Sequence, residues 1–191
     1  MELQILHWFE SLHNPVLDMI MYVITSLGNA GAIWIIMALV FVTVLRKRYG
    51  KAGWSIAIGL ILSLIMCNLV MKNMFARVRP FDADPTFENL FGIFNGIDDW
   101  SFPSGHTSAS FAAAAALFMW HKKEGTWALI LATVIAFSRL YLTVHYPTDV
   151  LASIVLGTLY GIAGWFIVKK ISERRLAKSI ATSQSETEET R

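Results

Sequence analysis

The chain has 191 residues, 55% of them hydrophobic and only 16% charged, with a formal net charge of +2 and a mean hydropathy of +0.51. An ordinary soluble domain carries about 25% charged residues, so these totals exclude that class and point to one integral-membrane domain. The small charge and the lack of a basic stripe with interleaved aromatics exclude a nucleic-acid partner. The single cysteine, Cys67, excludes an internal disulfide and a cysteine-based metal site, and reads as apolar filler.

In chain order, "MELQILHWFESLHN" has neither a basic leader nor a small-residue cleavage site, so it is expected to be retained. Leu3, Leu6, Phe9 and Leu12 recur at helical spacing, which predicts a short amphipathic helix lying on the membrane surface. A bilayer core needs about 20 apolar residues per helix. Six segments approach or meet that length: 15–27, 31–45, 52–71, 104–120, 125–144 and 150–168. The first is short and holds Asp18, so a re-entrant or interfacial segment is its alternative reading. The expected fold is therefore all-α: a polytopic membrane protein with six transmembrane helices, forming one domain over 1–178.

Residues 72–103 form the long connection between spans three and four, expected to include a short helical segment outside the cytoplasm. It carries Asp82, Asp84, Glu88, Asp98 and Asp99 among aromatics that suit a headgroup-level belt, with a lid or lipid-guiding role as the alternative. Gly157 and Gly161, like Ala112 and Ala116, are four apart, a spacing that lets membrane helices pack closely. The polar residues 179–191 have no apolar periodicity and read as a disordered cytoplasmic tail.

Charge sets the orientation. Twelve of the sixteen basic residues, Arg191 included, fall after spans two, four and six, on the side that should be the cytoplasm. Both termini then lie inside. The other four, Lys72, Arg77, Arg79 and Arg139, sit at the opposite, external ends of spans three and five. His106, His145 and Asp149 lie at that same level. Ionisable groups at membrane depth usually serve a site.

Lys72, Arg79 and Arg139 would be costly cations beside lipid unless an anion completes the site. A guanidinium fork matches phosphate oxygens, and lysine adds a point charge. Pro103-Ser104-Gly105-His106 reads as a helix start with Ser104 as N-cap. Its free amides suit phosphate, and Gly105 allows close backbone approach. Pro147 suits the first turn of span six, which puts His145 just before the helix and Asp149 within reach of its ring. A carboxylate on one ring nitrogen leaves the other free as a nucleophile. His106 can face the same pocket as the acid. Arg77 reads as a headgroup or surface residue, and His7, His13 and His121 as structural. A metal held by His106, His145 and Asp149 finds no support in a helical His-Glu-x-x-His signature.

These stretches resemble the type 2 phosphatidic acid phosphatase family and, more broadly, the vanadium-haloperoxidase-like acid phosphatases. Lys72, six residues, then Arg79-Pro80 is similar to the family's first motif; Pro103-Ser104-Gly105-His106 to the second; Ser138-Arg139, five residues, His145, three residues, Asp149 to the third. The resemblance implies a lipid phosphate phosphatase working without metal or other cofactor. His145 would form a phosphohistidine, Asp149 would orient it, and His106 would protonate the leaving oxygen and then activate water. Lys72, Arg79, Arg139, Ser104 and the Gly105 amide would hold the phosphoryl oxygens. The short chain and basic inner loops suit a bacterial cytoplasmic membrane, with the site facing outward. Undecaprenyl diphosphate is the leading expected substrate, with phosphatidylglycerol phosphate or phosphatidic acid as runner-up. A non-catalytic lipid-phosphate binder or transporter is the rival of another class. It would need the cations but not a paired nucleophile and acid.

Overall fold

The computed structural model describes residues 1–189, with side chains described to Gln184, and all its regular elements are helical. Helix α1 (Glu2–Glu10) leads to α2 (Pro15–Leu27), whose start follows from its sequence. Asn14 accepts the Leu17 amide at 3.0 Å, and Pro15 sits in the first turn, where an amide would lack a partner. A tight turn at Asn29–Gly31, with Ala30 at φ 50° and Gly31 at φ 68°, separates α2 from α3 (Ala32–Thr43). Helix α4 (Arg46–Ser63) widens into a π-helical stretch, Leu64–Met71, and closes in α5 (Lys72–Phe75). The short α6 (Pro80–Ala83) and the turns of Leu90–Gly96 cross one end of the molecule. Helices α7 (Gly105–Trp120), α8 (Lys122–Tyr141) and α9 (Pro147–Glu189) complete the bundle.

Helix α7 is the axis around which α4, α8 and α9 pack. Its alanines Ala112–Ala116 are all buried, and such small side chains let the surrounding backbones come close. A Cβ added at Gly157 would stand 2.4 Å from the Ser108 carbonyl oxygen, and one at Gly161 would stand 2.3 Å from that of Ala112. The glycine and alanine spacing read from the sequence is thus a packing seam. Gly161→Ala must push α9 off α7. Overpacking of this kind costs about 1–3 kcal/mol, so the detergent-solubilised variant is expected to show a lower Tm. A Tm equal to that of the wild type would contradict this contact.

Two helical stretches, Arg46–Ala83 and Pro147–Gln184, are long and apolar enough to cross a membrane by length and composition. Helix α2 and the stretch Asn29–Thr43 pass the same test only together, across a bend of 44°. Two separate crossings would need a full reversal of direction, so residues 15–43 form a broken span or a re-entrant loop, the latter being the alternative reading of 15–27. The Gly28-Asn29-Ala30-Gly31 break reads locally as a loop, which is why the sequence shows two apolar segments here.

The position of the N-terminus changes with that count. The Glu2 carboxylate accepts from the Arg77 guanidinium, from the Thr148 amide at 3.1 Å and from its hydroxyl at 2.7 Å. Helix α1 therefore lies at the end of the bundle that carries His145 and Asp149, while the 43 residues of α9 lead away from it for about 65 Å. The two ends of the described chain are at opposite ends of the bundle. Helix α9 continues through Glu189, into the polar segment that begins at residue 179. Thr190 and Arg191 lie outside the described residues, and the expected inner placement of Arg191 falls there.

Part of the apolar stripe of α1 packs on protein, while Leu12 is exposed. Leu6 and Phe9 are buried against Phe87 and Tyr146. His7 stacks on Phe87 and lies between carboxylates, Nε2 at 2.9 Å from Asp84 and Nδ1 at 3.0 Å from Glu10. Those two bonds raise the His7 pKa above the ordinary histidine value. Asp84, bonded by Thr86 and His7, is held down to about 2 and stays ionised. A raised histidine stabilises the docked helix below its unfolded pKa of about 6.5, and that contribution is lost as pH rises through the raised value. The protection of α1 amides relative to intrinsic exchange is therefore expected to fall between about pH 6 and pH 9, and to lose that fall in His7→Gln. Equal protection at both pH values in the wild type would refute this clamp.

Candidate active site

Three separate stretches of sequence meet at the α1 end of the bundle. Lys72 comes from α5, Arg79 from the turn before α6, His106 from the first turn of α7, Arg139 from the last turn of α8, and His145 from the connection to α9. All five line one cavity of about 730 Å³. Local sequence explains each placement. The π-helical stretch fits extra residues into its turns and brings Asn68 and Lys72 to the cavity wall, a device found often at functional sites. Thr143, at φ 53°, turns the chain after α8, and Pro147 then starts α9.

His145 is 2% exposed. Its Nε2 lies 3.4 Å from the Arg79 guanidinium. Arginine only donates, so the lone pair belongs on Nε2 and the proton on Nδ1. Nδ1 faces the Asp149 carboxylate at 3.6 Å. A closer approach of roughly 0.7 Å would make that a hydrogen bond. Burial, followed by the charges of Arg79, Arg139 and Lys72, pushes the His145 pKa well below the ordinary value, which keeps the ring neutral. A buried neutral imidazole with its Nε2 lone pair turned toward a cationic cavity is a competent nucleophile.

Asp149 is fully buried and held from three directions. It accepts from the Ser101 hydroxyl at 2.5 Å, the Tyr146 amide at 3.0 Å and the Arg77 guanidinium at 2.5 Å. Arg77 also bonds Glu2 and Thr148 and lies 3.9 Å over the Tyr146 ring. The surface role expected for Arg77 is therefore wrong, because its guanidinium is the counter-ion of the carboxylate beside His145. The sequence did contain a signal, since Arg77 is one of the four basic residues away from the inner loops.

The cations are also held by groups the sequence reading missed. Lys72 and Arg79 both ion-pair with Asp99. Burial alone would raise the Asp99 carboxyl, but Lys72 and Arg79 bring it below the ordinary carboxylate range. Arg139 donates to the Thr25 hydroxyl of α2, and its Nε has no protein partner among the described residues. His106 Nε2 lies 3.0 Å from the Asn29 side-chain oxygen, so the break between α2 and α3 presents an amide to this ring. At Gly105 an added Cβ would stand 2.9 Å from Asn68 Oδ1, the end of a side chain that can rotate away. Asn29, Asn68 and Thr25 left only a weak signal, as isolated polar residues in or beside apolar runs.

Ser104 caps α7 as expected, with its hydroxyl 3.0 Å from that of Thr107 and its amide donating to Ser153 at 2.8 Å. It is fully buried at the start of the helix whose next two residues, Gly105 and His106, line the cavity. Lys72, Arg79, Gly105, His106, Arg139 and His145 stand around one space, with Asp149 buried behind His145. A neutral imidazole, a second histidine and three cations together suit transfer of a phosphoryl group.

A family model described as the PAP2 superfamily matches residues 49–173. The chain is 29% identical to a lipid A 4'-phosphatase of Bacteroides thetaiotaomicron, over 90% of this chain and 78% of the relative. It is 31% identical to an undecaprenyl-diphosphatase of Bacillus subtilis, over 79% of this chain and 75% of the relative. Against two further relatives the match spans 49% and 51% of their length. The crystal structure of a transmembrane PAP2-type phosphatidylglycerolphosphate phosphatase from Bacillus subtilis superposes with a TM-score of 0.66 at 26% identity, covering 91% of this chain and 85% of that one.

Proposed function

The chain belongs to the PAP2 superfamily, and from that premise we propose that it is a membrane lipid phosphate and diphosphate phosphatase working through a phosphohistidine on His145. The observation that carries this reading is the convergence of Lys72, Arg79, Arg139, His106 and His145 on one cavity. In the first step the Nε2 lone pair attacks phosphorus and the P–O bond to the lipid oxygen breaks. The proton on His106 passes to that oxygen. In the second step a water attacks phosphorus, giving a proton to His106, and the P–N bond electrons return to Nε2. Orthophosphate leaves. The cations stabilise charge on the phosphoryl oxygens through both steps. A binder or transporter would make no use of the attacking and protonating pair.

The cavity continues as an apolar groove between α3 and α4, past Ile35, Leu39, Val42, Trp54 and Ile61. From Asn68 down to Trp54 is roughly 21 Å of helix. One long apolar path beside the phosphoryl site suits a single isoprenoid chain, and a relative at 31% identity bears the name undecaprenyl-diphosphatase. Undecaprenyl diphosphate is therefore the leading substrate. Lipid A is the second reading, favoured by the relative that matches 90% of this chain. Phosphatidylglycerol phosphate, the substrate named for the similar crystal structure, is the third.

In the membrane, α2 with α3, α4 with α5, α7, α8 and α9 would make five crossings. The basic residues after α3, α7 and α9 then face the cytoplasm, and the site and α1 face outward. The test is side-by-side turnover of undecaprenyl diphosphate, lipid A and phosphatidylglycerol phosphate by the purified wild type. The diphosphate is expected to be cleaved with the highest kcat/KM. Preference for a multi-chain lipid would overturn the isoprenoid assignment, and no phosphate release from any of them would overturn the phosphatase.

A further inference from the structure

Asp99 occupies an unusual position for an acid. It lies in the external connection and lines the cavity with the catalytic groups, and its carboxylate bridges Lys72 and Arg79. These are two of the cations through which the cavity would hold a phosphoryl group. A substrate must therefore take from Asp99 the donors that Asp99 now holds.

The remaining bonds of Arg79 show that this exchange is local. Its Nε donates to the Asp99 main-chain oxygen at 2.8 Å, one terminal nitrogen donates to the Val144 oxygen at 2.8 Å, and the other reaches the Trp100 oxygen at 3.4 Å. Ser101 is tied in turn through its amide to the Arg77 oxygen at 2.8 Å. The backbone of the loop is thus pinned at Asp99 and just beyond it, and Arg79 keeps its orientation without the carboxylate. The Asp99 side chain is 55% exposed. A rotation about its own side-chain bonds can carry it into water while main chain and cations stay in place.

Resting on the phosphatase reading, we infer that Asp99 is a specificity-determining residue, an internal anion that admits only phosphoryl groups carrying more charge than a carboxylate. A singly charged phosphodiester offers Lys72 and Arg79 nothing that Asp99 does not already supply. A phosphate monoester carries about −1.5 to −2 at neutral pH and a terminal diphosphate more, so each wins the exchange. Intact membrane phosphodiesters, present in vast excess around the site, are excluded by charge, and the diphosphate is favoured over the monoester. Orthophosphate, the product, is also helped to leave.

The experiment compares the wild type with Asp99→Asn, and with Asp99→Ala as the second variant, by direct titration of orthophosphate and by KM for one diphosphate and one monoester lipid. The variants are expected to bind orthophosphate about tenfold more tightly. The KM of the monoester should fall more than that of the diphosphate. Unchanged or weaker orthophosphate binding would overturn the proposal, by making Asp99 a support that positions the cations. Failure of both variants to fold would overturn it as well. Orthophosphate titration does not depend on turnover. Tighter binding by the variants alongside a wild type that cleaves no lipid would therefore sustain the charge filter and remove only the catalytic reading.

Discussion

His145→Ala is expected to lower kcat by at least about 10⁴-fold on any lipid phosphate that the wild type cleaves, since in the proposed mechanism it removes the nucleophile and with it the covalent path. The structure makes this loss specific to chemistry. The ring contributes an Nε2 whose lone pair is directed by a donor, the Arg79 guanidinium at 3.4 Å. Binding should survive, because Lys72, Arg79 and Arg139 remain and Arg79 keeps its contacts with Asp99, Trp100 and Val144. The expected signature is a collapsed kcat with orthophosphate affinity changed only a few-fold. Alkaline quench of the wild type with labelled substrate should leave label on protein, and the variant should leave none. A variant retaining a tenth of wild-type kcat would assign the nucleophile elsewhere.

Asp149→Asn is expected to cost on the order of 10³–10⁴-fold in kcat, the loss associated with an imidazole that is no longer held in its working tautomer. Here the buried carboxylate is one link of a chain from Glu2 through Arg77 to Asp149 and His145. Glu2, Arg77 and Asp149 together carry one net negative charge beside His145. The neutral amide would cancel it and leave the guanidinium facing a ring already surrounded by Arg79, Arg139 and Lys72. The pKa of His145 should fall further, so the acid limb of the pH profile should move to lower pH even as kcat collapses.

Arg77→Ala has the opposite electrostatic sign. It exposes His145 to an unopposed carboxylate, raises its pKa and moves the acid limb to higher pH. Stripping a buried carboxylate of its partner also destabilises the fold, by about 3–5 kcal/mol. Opposite displacements of the acid limb in these two variants would be hard to obtain from a merely structural role. Displacements of the same sign, or none in either, would refute the chain.

How much of this was legible beforehand differs from residue to residue. Lys72, Arg79, His106, Arg139 and His145 could be named because each is a polar or ionisable group kept where an apolar environment penalises it, inside short spacings that repeat a family pattern. The α7–α9 seam was visible for a related reason, since residues four apart share a helix face. Arg77 was visible as a misplaced charge and still misassigned, because its partner Asp149 is 72 positions away. For Ser104 the helix-capping signal was correct, but only packing decides whether a capping hydroxyl also faces a cavity.

The amino-acid sequence by itself determined the membrane setting, the helical class and the chemical identity of the central groups. Those properties follow from composition, from periodicity within single helices and from local spacing, all of which act over a few residues. Tertiary structure alone decided that residues 15–43 form one bent path, that α1 docks beside the candidate site, and that Glu2, Asn29, Arg77 and Asp99 hold its groups. Each of those outcomes is a contact between segments far apart in the chain, where charge pairing and burial override what either segment prefers alone.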